Sequence, residues 1–154
     1  MRIKRSLYHE ATLSIIDKVK LKYSYLGSGK ILVAKEGRKL YIEVAGKNLP
    51  YLGSHGEEVF LWETYIPKEK LERIQLSANS FGAESWIAFC YVIIKPEFEQ
   101  YFANIIQLEN LKFGLRLIQT RVFRQYMQPR SPSWSVVDLP RKQVPHLTKN
   151  LDQI

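Results

Sequence analysis

The fold is decided by the stretch GKILVAKEGRKLYIEVAG, which runs from Gly29 to Gly46. It predicts two β-strands, at residues 31–34 and 40–45, and Gly37 lies in the short turn between them. Two strands this close, with a glycine in the turn, are typical of a β-hairpin. A second stretch, IPKEKLERIQLSANSFGAESWIAFCYVI, runs from Ile66 to Ile93. It predicts a helix with apolar residues in helical register, followed at residues 86–94 by a buried strand that has almost no polar residue.

The segments around these two stretches are assigned by the same patterns. An amphipathic helix is expected at residues 6–22, where apolar residues fall four apart, and it gives way to a loop at residues 22–30. Residues 59–66 look like a strand, residues 97–110 like a further helix, and residues 134–138 like a short strand. Residues 111–126 fit either a strand or a helix. Together the segments predict an α/β domain with a mixed central sheet flanked by helices.

Charge is distributed unevenly along the 154 residues, whose formal net charge is +8. Residues 1–40 hold ten Lys/Arg against three Asp/Glu, residues 41–110 hold five against ten, and residues 111–154 hold eight against two. Basic segments attract polyanions, so nucleic acid is the first partner to consider. The alternative is a set of solvated surface lysines.

Other features narrow the classes of protein. No apolar run approaches the roughly 20 residues of a membrane span, and the basic first residues lack a signal-peptide core, so a cytoplasmic protein without membrane contact is expected. The single cysteine, Cys90, lies in an apolar run and is expected to be a buried hydrophobic residue. His9, His55 and His146 are scattered, which argues against a zinc site.

The order of helix, hairpin, strand, helix and buried strand over residues 5–95 resembles the archaeal Holliday-junction resolvases, a branch of the PD-(D/E)xK, or restriction-endonuclease-like, superfamily. In that family a glutamate lies on the first helix, and Glu10 matches it here. An aspartate opens the first hairpin strand, where this chain has Lys30. The second strand ends Glu-x-Lys, where this chain has Glu43, Val44 and Ala45.

The resemblance implies a metal-dependent nuclease site with a degenerate motif. Glu10 and Glu43 would be the ligands of Mg²⁺ or Mn²⁺ if the site were active, and Glu63 is the best substitute for the missing aspartate. Glu36, Glu57 and Glu58 are weaker substitutes. The missing lysine could be replaced by Lys30, Lys39 or Lys47.

The resemblance also implies a surface that holds a DNA backbone. The residues expected to bind it are Arg2, Lys4, Arg5, Lys30, Lys35, Arg38, Lys39, Lys47, Lys68 and Lys70. Tyr51, Tyr126 and Trp134 could stack on unpaired bases, although burial in a core or an interface explains them equally well. Residues 1–110 would form the nuclease-like domain and residues 111–154 a basic extension packed on it.

Three functions follow from these expectations. The first is a structure-selective protein that binds branched DNA as a homodimer, with a weakened or lost catalytic site. The second is an active Mg²⁺- or Mn²⁺-dependent endonuclease that uses Glu10, Glu43 and a substitute carboxylate. The third is a scaffold subunit whose basic tail docks an acidic partner.

Overall fold

A computed structural model describes residues 3–48 and 63–154 of the chain. The helices are α1 (Arg5–Lys18), α2 (Lys68–Ser80), α3 (Thr120–Tyr126) and α4 (Val144–Leu147). The strands are β1 (Lys22–Gly27), β2 (Lys30–Lys35), β3 (Arg38–Asn48), β4 (Ile66–Pro67), β5 (Glu84–Ile94), β6 (Leu111–Gln119), β7 (Gln128–Pro129) and β8 (Val136–Asp138). None of the helices described is long and apolar enough to cross a lipid bilayer.

The centre of the molecule is a five-stranded sheet in the order β1-β2-β3-β5-β6. β3 and β5 run parallel, whereas every other neighbouring pair in this sheet is antiparallel. β4, β8 and β7 form a second, small antiparallel sheet. The predicted α/β architecture, a mixed central sheet flanked by helices, is confirmed.

Side chains of β3 alternate between two hydrophobic cores because successive residues of a strand point to opposite faces. Leu40, Ile42 and Val44 join the core beneath α1. Tyr41 and Ala45 join the core beneath α2. β5 is buried on both faces, which explains its nearly unbroken apolar sequence.

Two segments differ from the sequence-based assignment. Residues 22–27, expected to be part of a loop, form the edge strand β1, and α1 ends at Lys18 rather than at residue 22. The helix expected at residues 97–110 is wrong, since this segment contains three short 3₁₀ turns instead. The Lys95 N–H donates to the Asn110 carbonyl at 2.9 Å, whereas a straight helix over this segment would hold its ends roughly 20 Å apart.

The carboxy-terminal part of the chain continues the central sheet. β6 begins at Leu111, where the basic extension was expected to start, and it pairs with β5 from Ile94–Leu111 to Trp86–Gln119. Residues 111–126, which fitted either a strand or a helix, contain both, since β6 is followed by α3. The short strand expected at residues 134–138 is β8, which covers the last three of these residues. The strand expected at residues 59–66 lies mostly outside the described residues.

α1 approaches β3 closely because two glycines leave room for its aromatic side chains. A Cβ on Gly46 would lie 2.4 Å from Cγ of Tyr8, so the ring rests directly on the backbone of β3. A Cβ on Gly29, in the turn between β1 and β2, would lie 2.7 Å from Nε2 of His9. The position of α1 on the sheet therefore depends on having glycine, which has no side chain, at positions 29 and 46.

Replacing Gly46 by Ala is expected to destabilise the fold by about 1–3 kcal/mol, because the new methyl group overlaps the Tyr8 ring. Urea denaturation measures the change. The matched control is Gly114→Ala, in β6, where a Cβ meets no atom within 4 Å. Equal effects of the two substitutions would contradict this account of how α1 packs.

Candidate nucleic-acid interface

A groove of about 730 Å³ opens where β3 ends, between the first turns of α1 and α2. It is lined by Ile3, Arg5, Tyr8, His9, residues 44–47, Tyr65, Ile66, Pro67 and Lys70. Three of these described residues, Arg5, Lys47 and Lys70, are cations, and none is a carboxylate. Each of the three comes from a different element, because α1, β3 and α2 meet at this end of the sheet.

Lys47 is the most unusual side chain of the groove. It is 6% exposed, and its ammonium donates to the carbonyl of Tyr65. Nζ also lies 3.5 Å from the centroid of the Tyr65 ring, a cation–π contact. Burial, with the positive charges of Lys70 and Arg130, lowers the pKa of Lys47 to about 7, although Glu63 opposes the shift. The groove therefore changes its charge near neutral pH.

The pKa values of His9 and Lys70 are also lowered by burial and by nearby cations. Burial lowers the pKa of Lys70, and the charges of Arg5 and Arg73 lower it further against the opposing effect of Glu43. Burial followed by the charges of Arg5 and Lys70 lowers the pKa of His9. Positive charges are thus close enough in this groove to disfavour one another.

The neutral form of His9 has a defined partner. The Gly29 N–H donates to the Tyr25 hydroxyl oxygen at 3.1 Å, and that hydroxyl lies 3.2 Å from Nδ1 of His9. Since the Tyr25 oxygen already accepts a hydrogen bond, its own hydrogen is available to Nδ1. The pair fixes the imidazole beside the turn between β1 and β2.

Glu43 lies on the α2 side of the sheet and is 4% exposed. The Tyr41 hydroxyl donates to its carboxylate at 3.2 Å, and the Arg73 guanidinium donates at 3.5 Å. Lys30 is directly opposite Glu43 on β2, and residues paired in this way share one face of a sheet. The carboxylate is therefore compensated by cations around it and does not line the groove.

The three carboxylates expected to be catalytic are not brought together. Glu10 is exposed on α1, where it lines a surface cavity with Asp17 and Lys18. Glu63 forms ion pairs with Arg130 at 3.0 Å and with Arg141 at 3.5 Å. Glu57 and Glu58 lie outside the described residues.

The described carboxylates do not form a site for the divalent metal that an active nuclease would need. Mg²⁺ and Mn²⁺ are held by carboxylate oxygens that converge on one point. Within residues 3–48 and 63–154, no three side chains of His, Cys, Asp or Glu are grouped so that they could hold a metal ion.

Eight of the ten basic residues expected to bind DNA fall into two groups, and a ninth, Lys30, lies opposite Glu43. Arg5, Lys47 and Lys70 line the groove, Lys4 immediately precedes α1, and Lys68 begins α2 with Nζ 5.9 Å from the centroid of the Trp134 ring. Arg2 lies outside the described residues.

The second group lies at the opposite end of β3, where Lys39 is eight residues, or roughly 26 Å, from Lys47. There Lys35 donates to the carbonyls of Leu151 and Ile154. Arg38 makes a bidentate pair with Glu84 at 2.7 and 2.8 Å. Lys39 donates to the carbonyl of Phe81 at 3.2 Å.

Sequence reasoning missed His9, which occupies the groove in place of its neighbour Glu10. Adjacent helical residues point about 100° apart, so an offset of one residue in matching the motif changes which side chain faces the site. Tyr65 was also missed. Arg130 has its guanidinium carbon 4.2 Å from the centroid of the Tyr65 ring, a contact between residues distant in sequence.

Comparison with solved structures finds the same fold in Archaeoglobus fulgidus Hjc, a Holliday junction resolvase from an archaeal hyperthermophile. The TM-score is 0.57 and the sequence identity 14%, and the match covers 97% of this chain and 93% of the Hjc chain. No model of a known protein family matches the chain, and no curated protein matches it. The mixed central sheet flanked by helices that was expected from the sequence is thus also the fold of this resolvase.

Lys47 is expected to make stability depend on pH. Its pKa is about 7 in the folded protein against an ordinary value of 10.5, so between these values the unfolded chain binds more protons. The free energy of unfolding should therefore rise with pH over this window, and Lys47→Met should lack that contribution. Between pH of about 6 and about 9, the wild type should gain at least about 1 kcal/mol relative to the variant.

Urea denaturation at several pH values tests this expectation. The control is Lys39→Met, an exposed lysine at the other end of β3. Comparing each variant with the wild type removes contributions from His9 and Lys70, which titrate in all three proteins. Parallel pH profiles of the wild type and Lys47→Met would show that Lys47 keeps an ordinary pKa in the folded protein.

Proposed function

We propose that this protein binds branched DNA through the groove at the end of β3 and does not cut it. The observation that carries the proposal is that Arg5, Lys47 and Lys70 converge in one groove whose described lining contains no carboxylate. The likeness to the fold of a Holliday junction resolvase supports DNA as the polyanion. Phosphate contacts position a duplex without reading its sequence, which suits recognition by shape.

Phosphates would relieve the repulsion within the groove. An anion near Lys47 and Lys70 favours their charged forms, so the pKa of each amine should rise when DNA binds. The complex would therefore take up protons at neutral pH. We also propose that the protein is a homodimer, because the cations at its two ends would then contact two arms of a junction.

The first test measures the affinity for a labelled four-way junction and for a linear duplex of equal length. The junction should bind more tightly, and affinity should fall steeply as salt increases. Lys70→Ala should weaken junction binding about tenfold and reduce the steepness of the log K against log salt plot by about one. Lys39→Ala is the matched control and should change neither quantity.

The same reactions with Mg²⁺ or Mn²⁺ added show whether the junction is cut. Cutting by the wild type that disappears in Glu43→Gln would overturn the proposal in favour of an active endonuclease. A protein that prefers neither substrate would be a scaffold that only retains the fold. If Lys39→Ala weakens binding as much as Lys70→Ala does, the groove is not the main contact.

A further inference from the structure

An exposed indole stands beside the groove, on the turn between β7 and β8. Trp134 is 43% exposed. The Arg130 N–H donates to the Val136 carbonyl at 2.9 Å and closes the turn. Val136 pairs in turn with Pro67, which lines the groove, so backbone hydrogen bonds attach this turn to the rim of the groove.

The backbone of Trp134 is in a conformation that tryptophan rarely adopts. Its φ is +60°, in the left-handed region, which costs a bulky residue roughly 1–2 kcal/mol. The turn is nevertheless well defined, since the Trp134 N–H donates to the Ser131 carbonyl at 3.0 Å. The hydroxyl groups of Ser131, Ser133 and Ser135 also lie within 3.0–3.3 Å of one another.

Folding stability does not explain a tryptophan at this position. A glycine or an asparagine would adopt the same backbone at lower cost, and the indole contributes only part of its surface to packing. Strain of this kind persists where the surrounding structure enforces it, and it is found most often at functional sites. The indole therefore points to a role at the surface.

The neighbours of the indole identify the chemistry of its ligand. Lys68 has Nζ 5.9 Å from the centroid of the ring, and its backbone N–H donates to the Ser135 carbonyl at 2.9 Å. Tyr65, which lines the groove and immediately precedes β4, is 41% exposed, and the centroid of its ring lies 4.2 Å from the guanidinium carbon of Arg130. Aromatic rings next to cations match a nucleotide, which has a flat base and an anionic phosphate.

An apolar protein partner fits this surface less well. Covering the indole with an apolar surface would remove Lys68 from water without giving it an anion, which is costly. A phosphate beside a stacked base would pair with Lys68 instead. The arrangement therefore favours a strand of nucleic acid over a hydrophobic protein surface.

We propose that Trp134 is a stacking platform for an unpaired base of the bound DNA, with the adjoining phosphate held by Lys68. The inference rests on the proposed function, since it names the part of branched DNA that this surface recognises. Stacking on an aromatic side chain does not depend on the identity of the base, which suits a protein that recognises shape. Some branch points present unpaired bases, whereas an intact duplex presents none.

The test uses a DNA fork that has unpaired nucleotides at its branch point and the same fork with every base paired. Trp134→Ala should lose about 5- to 100-fold in affinity for the fork with unpaired nucleotides and little for the paired fork. Trp134→Phe keeps a stacking ring and should retain most of the affinity. A fluorescent 2-aminopurine at the unpaired position should be quenched by the wild type and not by Trp134→Ala.

Two further variants separate stacking from a structural role. Trp134→Gly relieves the backbone strain, so it should unfold at an equal or higher denaturant concentration than the wild type. It should still lose affinity for the fork with unpaired nucleotides. Phe81→Ala removes an aromatic residue of similar exposure, 39%, at the other end of α2, roughly 20 Å away. It should bind both forks like the wild type.

The outcomes distinguish this inference from the proposed function. If the wild type binds branched DNA and Trp134→Ala binds the fork with unpaired nucleotides equally well, the stacking platform is overturned and the proposed function stands. Equal binding of both forks by the wild type would also overturn the platform. If the wild type has no preference for branched DNA over a linear duplex, the proposed function fails first and the platform fails with it.

Discussion

The parallel pairing of β3 with β5 is the constraint on which the rest of the molecule depends. It extends from Leu40–Glu84 to Asn48–Val92. Two adjacent parallel strands require a connection that brings the chain back to the edge of the sheet where the first strand begins. Here that connection contains α2. Because the connection leaves β3 at its carboxyl end, α2 begins close to Lys47. The groove is thus a geometric consequence of one strand pairing.

The chemistry of the groove follows from what the three elements place there. Arg5, Lys47 and Lys70 each come from a different element, and the charges of the two lysines are partly removed from water. The cost of burial, followed by repulsion from neighbouring cations, lowers the pKa values of the two amines. An anion in the groove would reduce that repulsion. Repulsion among the cations therefore contributes both to the lowered pKa values and to the attraction for a polyanion.

Sequence patterns predicted those elements in which the order of apolar and polar residues reflects burial. The hairpin, α2 and β5 have clear periodicity or an unbroken apolar run, and each was placed correctly. β1 was missed because an edge strand is exposed, so KYSYLGSGK shows no apolar pattern. The apolar residues within 97–110 have helical spacing. That spacing does not show that Asn110 must return to Lys95, which a straight helix would not allow.

The site was harder to predict than the fold, since its composition depends on which face each residue occupies. Glu43 was identified, yet only the structure places it towards α2 while Glu10 lies on the helix that covers the opposite face. A divalent metal in the groove would add to the repulsion among three cations, with no carboxylate of the described lining to offset it. A phosphate would reduce that repulsion. This electrostatic difference is why we propose that the groove binds DNA without cleaving it.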